Sequence, residues 1–252
     1  MRYKRIIFAL LVTTAPVYSG VSGEKTSNSY KTFYFGANVS ADVTHLKTTM
    51  TDISLASGLV TRSGFNAMSN ISSDGGGFFG IGKRFCNRFY AGLEAFFDVN
   101  DNNAKVEVFD ANTNNIDGLV KVNFYAKHTY DVGISLLPGF FVNDRSLFYA
   151  RVGFVNGEFV MKGSGFAVFP TSAGQQVPFN FSRNVYGAQL GAGLETQLSE
   201  TVYLRAEWDF NRYKSFQETV LKRTGQREGD LIFSNPRVNQ FKFGLNWHLD
   251  HV

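Results

Sequence analysis

The sequence predicts an all-β chain: a single antiparallel transmembrane β-barrel of eight strands with short periplasmic turns and long extracellular loops. Three observations carry this. Runs of about ten residues alternate apolar with polar or glycine, the period of a strand whose two faces meet different surroundings. The connections between runs alternate short and long, and the chain opens on an export signal. Among 252 residues there are 25 Gly, 26 Phe and only 5 Pro, with a mean hydropathy of −0.13. That value suits a barrel whose apolar residues are hidden in alternation, so bulk hydropathy decides nothing.

The N-terminus reads Met-Arg-Tyr-Lys-Arg, then an apolar run from Ile6 to Val12, then small and polar residues to Gly20. A basic end, a short apolar centre and a small-residue exit make a secretory signal over residues 1–19, with cleavage after Ser19 and Gly23 as a second site. The run is too short for a membrane anchor, which needs about 20 apolar residues. Residues 20–252 then form one barrel domain. Removing Arg2, Lys4 and Arg5 from 25 basic residues leaves 22, against 21 acidic ones. The apparent basicity disappears, and with it any reason to invoke nucleic acid. Cys86 is the single cysteine, so no internal disulfide forms, and it reads as a small filler residue at a strand end.

The strands follow in order. In the first, Phe33, Phe35, Ala37, Val39 and Ala41 face one way, and Tyr34, Gly36, Asn38, Ser40 and Asp42 the other. A less regular run covers Gly77 to Phe85. The third sets Phe89, Ala91, Leu93, Ala95 and Phe97 against Tyr90, Gly92, Glu94, Phe96 and Asp98. A long irregular fourth spans about Phe124 to Phe141. In the fifth, Phe148, Ala150, Val152 and Phe154 oppose Tyr149, Arg151 and Gly153. The sixth, from Tyr186 to Glu195, puts Leu190 with the apolar set and Gln189 and Glu195 opposite. In the seventh, Leu204 and Trp208 are apolar-side, and Arg205, Glu207 and Asp209 polar-side. The last places Phe243, Leu245 and Trp247 against Lys242, Asn246 and His248. Eight is an even number, as an antiparallel outer-membrane barrel of this kind has.

The turns at Asn87-Arg88, Asn143 to Ser146 and Ser199-Glu200 alternate with long segments at 43–76, 100–121, 157–184 and 214–237. Such long loops are uncommon in compact soluble domains. In an outer-membrane barrel the short turns face the periplasm and the long ones the outside.

Which phase meets lipid follows from the glycines and charges. A narrow barrel leaves an interior just wide enough for packed side chains, where small residues make room for large ones. The apolar phase, with Phe35, Leu93, Val152, Leu190, Leu204, Trp208, Phe243 and Leu245, is predicted to face lipid. The polar phase carries Glu94, Asp131, Arg151, Glu195, Arg205, Glu207, Asp209 and Lys242, predicted to pair in the interior, since an isolated buried charge would not survive. Glu94, Arg151, Glu195, Arg205 and Glu207 are expected to form its network.

With the strands in place, Tyr90-Ala-Gly-Leu-Glu94, Leu147-Phe-Tyr-Ala-Arg-Val-Gly153 and Gly191-Ala-Gly-Leu-Glu195 resemble strand motifs of the opacity-like and OmpA-like surface barrels. Arg205-Ala-Glu-Trp208 and Gly244-Leu-Asn-Trp-His248 resemble the last two strands of that group. The resemblance implies an outer-membrane barrel of a Gram-negative bacterium with surface-exposed loops, in contact with lipid, lipopolysaccharide and the barrel-insertion machinery. One departure is that Leu249 is followed by Asp250-His251-Val252 rather than a terminal aromatic.

There is no Walker loop, HExxH, paired-cysteine site or GxSxG, so no catalytic residue, metal or cofactor is expected. His128 reads as a lipid-phase residue near the outer end of the fourth strand, with Ser135 on the opposite phase. The expected role is a surface protein acting through its loops on a host or other extracellular ligand. A narrow small-solute or ion pore is the alternative, and a lipid-modifying enzyme comes third.

Overall fold

The computed structural model describes residues 31–53, 60–68, 71–85, 88–110, 120–169, 172–221 and 227–250. The signal segment with Ser19 and Gly23, and Cys86, lie outside these. The described residues form ten strands: β1 (Lys31–Ile53), β2 (Val60–Met68), β3 (Ser72–Phe85), β4 (Phe89–Asp110), β5 (Val120–Asn143), β6 (Ser146–Phe169), β7 (Ser172–Gln197), β8 (Val202–Tyr213), β9 (Phe216–Leu221) and β10 (Arg227–Asp250). Each pairs antiparallel with its neighbours, and the order β1-β3-β4-β5-β6-β7-β8-β10 closes when β10 returns to β1, from Thr32 opposite Asp250 upward. The ring is the predicted eight-stranded barrel. Closure leaves no unpaired edge in the hydrocarbon, where an unsatisfied backbone group would cost several kcal/mol, on the order of its full desolvation.

β2 and β9 continue two of the eight walls outward. The inner part of β1 pairs with β3 and its outer part with β2. Likewise β10 pairs with β8 and, further out, with β9. The walls are much longer than the sequence suggested: of the segments read as loops, most of 43–76, 100–121, 157–184 and 214–237 is paired strand. Above the ring these extensions separate into two leaves. One is β2-β1-β10-β9 and the other β4-β5-β6-β7, with no ladder between β2 and β4 or β7 and β9 among the described residues.

The reason the outer walls escape a simple reading is that the alternation inverts. Within the ring, apolar side chains point out: Phe35, Leu93, Val152, Leu190, Phe243 and their rows are exposed, while Glu94, Arg151, Gln189 and Gln240 are buried. Further along the same strands the polar side faces out and the apolar side in. On β6 the buried residues become Phe159 and Met161, on β1 Leu46, on β10 Leu231 and Phe233. With Ala126, Val185 and Val238 they make an apolar cap over the outer end of the lumen. Phe216 of one leaf meets Phe159 of the other at 5.8 Å between ring centroids and stacks on Phe233 at 4.8 Å. Below, lipid is the apolar phase; above, the protein must bury its own.

Irregularities sit where the walls change character. Opposite Leu46 on β1, β10 has two residues, Asn235 and Pro236, and Asn235 takes a positive φ of 46°. Such a bulge bends a strand and increases its twist. The Asn235 amide donates to the hydroxyl of Ser215, in the gap between β8 and β9. On β5 the register against β6 shifts between His128 and Tyr130.

Candidate functional site: a packed polar lumen

The lumen is filled by three tiers of polar residues. The middle tier is built on β4, β6, β8 and β10, whose period-2 alternation aims Glu94, Asp98, Arg151, Arg205, Glu207, Asp209 and Lys242 inward. Arg205 donates from Nη1 to Glu94 at 2.6 Å and from Nη2 to Glu207 at 2.6 Å. Arg151 donates to Glu94 as well, and its Nε and Nη1 lie 3.4 Å from Glu207 and 3.7 Å from Asp209. Lys242 bridges Asp98 at 2.7 Å and Asp209 at 3.0 Å. The Tyr149 hydroxyl donates to Glu207 at 2.7 Å, and Phe78 lies flat under Arg205, 4.3 Å from guanidinium carbon to ring centroid. All of these ionic groups are buried, so each depends on its partners: desolvation is repaid only where geometry and extra hydrogen bonds are good.

Glycines set the packing. A Cβ at Gly193 would fall on the ring of Tyr149, and one at Gly157 on the Asp131 carboxylate. Small residues thus receive large ones from the neighbouring strand, Tyr149 being the Cα partner of Gly193 and Asp131 that of Gly157. The space left in the middle tier is about 10 Å³, between Asn38, Glu94, Arg151, Arg205 and Lys242. That is the scale of a single water molecule.

Glu195 and Asp131, which sequence reading grouped with the central charges, head separate tiers. Glu195, towards the periplasmic end, accepts from Asn246 at 2.8 Å and lies 2.8 Å from His248 Nε2. His248 is sandwiched by Tyr34 and Tyr203, at 5.5 and 4.0 Å between centroids. Asp131, towards the outside, accepts from the Tyr213 hydroxyl at 2.6 Å and sits 3.0 Å from His128 Nε2. His128 Nδ1 lies 3.1 Å from the Asn100 side-chain amide nitrogen. Between the tiers, Ser135 donates to Gln189, which in turn reaches Asp209.

His128 corrects the sequence reading. Placed on the lipid phase by strict alternation, it is fully buried inside and stacked on Phe159 at 4.8 Å. The bulge between His128 and Tyr130 inserts one residue and exchanges the faces beyond it. The resulting His-Asp pair is held by Asn100 and Tyr213 under the apolar cap, with Ser135 committed to Gln189. Among the described residues no group of three or more His, Cys, Asp or Glu could hold a metal. Asp98 and His248, which the alternation already set on the polar phase, join the lumen as partners of Lys242 and Glu195, pairings that single-strand patterns do not give.

The lipid-facing residues named from sequence, Phe35, Leu93, Val152, Leu190, Leu204, Trp208, Phe243 and Leu245, all lie on the outer face, 39% to 54% exposed. Phe35 stacks on Trp247 and Phe140 packs on Phe148 near the inner rim. At the outer rim Phe97 meets Tyr130, whose hydroxyl donates to Asn184.

Residues 7–248 match the family model described as outer membrane protein beta-barrel domain. No curated protein matches the chain. Among solved structures, it is similar to the outer membrane protein OprG of Pseudomonas aeruginosa (12% identity, 86% of this chain and 96% of that one, TM-score 0.46). Ail, the attachment invasion locus protein of Yersinia pestis, matches at 11% identity over 84% of this chain and 98% of its own, with a TM-score of 0.36. The outer membrane protease OmpT of Escherichia coli matches at 10% identity over 86% and 97%, with a TM-score of 0.31.

Proposed function

The chain belongs to the outer membrane protein β-barrel domain family, and from that premise we propose that it is a non-conducting surface protein that presents its two outer leaves to an extracellular ligand. It resides in the outer membrane, and residues 1–19 are proposed as the export signal that brings it there. The observation that carries the reading is the contrast between the two halves. The lumen is filled with paired charges and closed outward by Phe159, Phe216, Phe233 and Leu231, whereas most of the extra chain length is invested in paired strands beyond the lipid band. A solute path needs continuous polar space, and the middle tier leaves about 10 Å³. Paired hairpins are better recognition surfaces than slack loops, because less conformational entropy is lost on binding.

The test removes the outer half of one hairpin. Deleting residues 163–178 from the β6–β7 hairpin and joining the ends with a two-residue turn leaves the ring pairing intact. The shortened protein is expected to fold, shown by different migration in SDS with and without boiling, yet to lose binding of whole bacteria to host cells or matrix. The full chain is expected to give no conductance in planar bilayers. Stepwise single-channel currents from the purified chain, or undiminished binding by the shortened one, would overturn the reading.

A further inference from the structure

We infer that the inner face of the β1, β3 and β4 walls, towards the outer end of the lumen, is a binding site for a calcium ion, held by the carboxylates of Asp74 and Asp98 with the neutral oxygens of Ser40 and Asn100. The placement comes from register. Ser40 is the Cα partner of Asp74 across β1 and β3, Asn38 that of Gly76, and Gly76 in turn that of Asp98 across β3 and β4. Asn100 follows Val99, the partner of Gly75, and the amide of Asp101 beside it donates to Asp74 Oδ1 at 2.8 Å. Asn38 and Ser40, Gly76 and Asp74, and Asp98 and Asn100 thus make an inward patch three strands wide and two rows deep. Gly76 is its hollow, since the Asp98 carboxylate lies where a Cβ on that glycine would be.

The four corners of this patch each carry an oxygen that nothing satisfies. Asn38 Oδ1, Ser40 Oγ, Asp98 Oδ1 and Asn100 Oδ1 are shut off from solvent and have no hydrogen-bond partner in the protein. Asp98, Asn100 and Ser40 are 0%, 2% and 6% exposed. The Asn100 amide nitrogen turns to His128 and Asp131 on β5, which leaves its oxygen on the side of β3. Charge points the same way. Asp42, Asp74, Asp98, Asp131 and Asp209 are all buried at this level. Asp42 and Asp74 close on the single hydroxyl of Ser72, and both act electrostatically on the His128 ring alongside Asp131. Lys242 bridges Asp98 and Asp209, whereas the donors to Asp74 among the described residues are the Ser72 hydroxyl and the Asp101 amide. Buried charges are kept by pairing or by coordinating a metal.

Chemistry then selects the ion. Every ligand offered is an oxygen, the preference of a hard cation. Calcium accepts carboxylates, side-chain carbonyls and water in flexible geometry, whereas magnesium demands a regular octahedron and keeps several of its waters, for which a packed lumen has little room. Water alone would satisfy the four oxygens and leave the charge of Asp74 unanswered. Asp74 keeps 9% of its surface accessible beside Asp101, whose side chain is 73% exposed, and this gives the ion a way in from outside. With two carboxylates the affinity belongs at the weak end for calcium sites, a Kd on the order of 10⁻⁴ to 10⁻³ M.

The test takes the full chain, folded in zwitterionic detergent and stripped with EGTA, and titrates it with calcium chloride by calorimetry to about 10 mM, above the weak end of such sites. One ion per chain is expected, and calcium should raise the midpoint of urea unfolding. Asp74→Asn, which keeps the shape and removes the charge, should bind about tenfold or more weakly, because affinity follows ligand charge. Ser40→Ala, which removes a hydroxyl that has no protein partner, should also bind more weakly. Both should lose the calcium-dependent rise in midpoint. Glu158→Gln, a carboxylate on the outer leaf held by Thr129 and Ser182, should bind like wild type. Boiling-dependent migration in SDS checks that every variant folds. No saturable heat from the wild type would mean that water alone fills the patch and would overturn the site. Binding unchanged in both Asp74→Asn and Ser40→Ala would place the ion elsewhere and overturn it equally. Magnesium chloride binding as tightly as calcium chloride would overturn the assignment to calcium.

Discussion

Glu207 shows what holds the interior together at the scale of one side chain. Its carboxylate receives Tyr149, Arg205 and, at longer range, Arg151. Replacing it by leucine leaves Arg205 buried with only Glu94 and leaves the Tyr149 hydroxyl without its acceptor. Breaking one side of a buried ionic cluster costs about 3 to 5 kcal/mol, so Glu207→Leu is expected to lower stability by that amount in reversible urea unfolding from lipid vesicles. A change within about 0.5 kcal/mol, the size usual for a solvent-facing substitution, would mean that Glu207 does not sit in a packed lumen. At this scale the sequence told inside from outside well but partners poorly. Leu93 and Glu94 announce opposite faces by simple alternation. That Glu195 joins Asn246 and His248 rather than Arg205, although Arg205 is its Cα partner across β7 and β8, depends on where long side chains reach across the lumen. His128 was misplaced for a different reason, a single inserted residue on β5.

At the scale of elements, the bulge on β10 is the informative irregularity. A left-handed backbone costs a residue with a Cβ roughly 1 to 2 kcal/mol, and Asn and Gly tolerate it best. Asn235→Gly is therefore expected to be neutral within a few tenths of a kcal/mol, apart from the general flexibility of glycine. Asn235→Val should destabilise by about 1 to 2 kcal/mol, read from the same urea unfolding curves. Equal effects of the two would show that the strand does not bend there. The elements were legible in the sequence where one pattern persists, as from Phe33 to Asp42 or Val202 to Asn211. Their outer continuations were not. Between Asp42 and Leu46 the apolar residue moves from the outer to the inner face, and a reader tracking one phase sees the strand end.

For the molecule as a whole, that inversion marks the position of the bilayer. On β10 the outward apolar column begins near Leu249 and ends by Asn239, beyond which Arg237 is exposed. The roughly ten rises between them, at about 3.4 Å each and tilted by about 40°, make a belt on the order of 26 Å tall. The outer rim of this belt is fixed by chemistry, because the next rows must satisfy water outside and an apolar cap inside. The chain therefore carries a gauge of membrane thickness, and it cannot slide. In vesicles of graded acyl length it is expected to fold fastest and resist urea best where the hydrocarbon is close to that height, and to do both less well in thicker bilayers. A flat response across the series would show that the rim does not fix its depth. Because bacterial outer membranes are thinner than average, a gauge of this height also sorts: the protein is at home in one envelope layer and under tension in any thicker one.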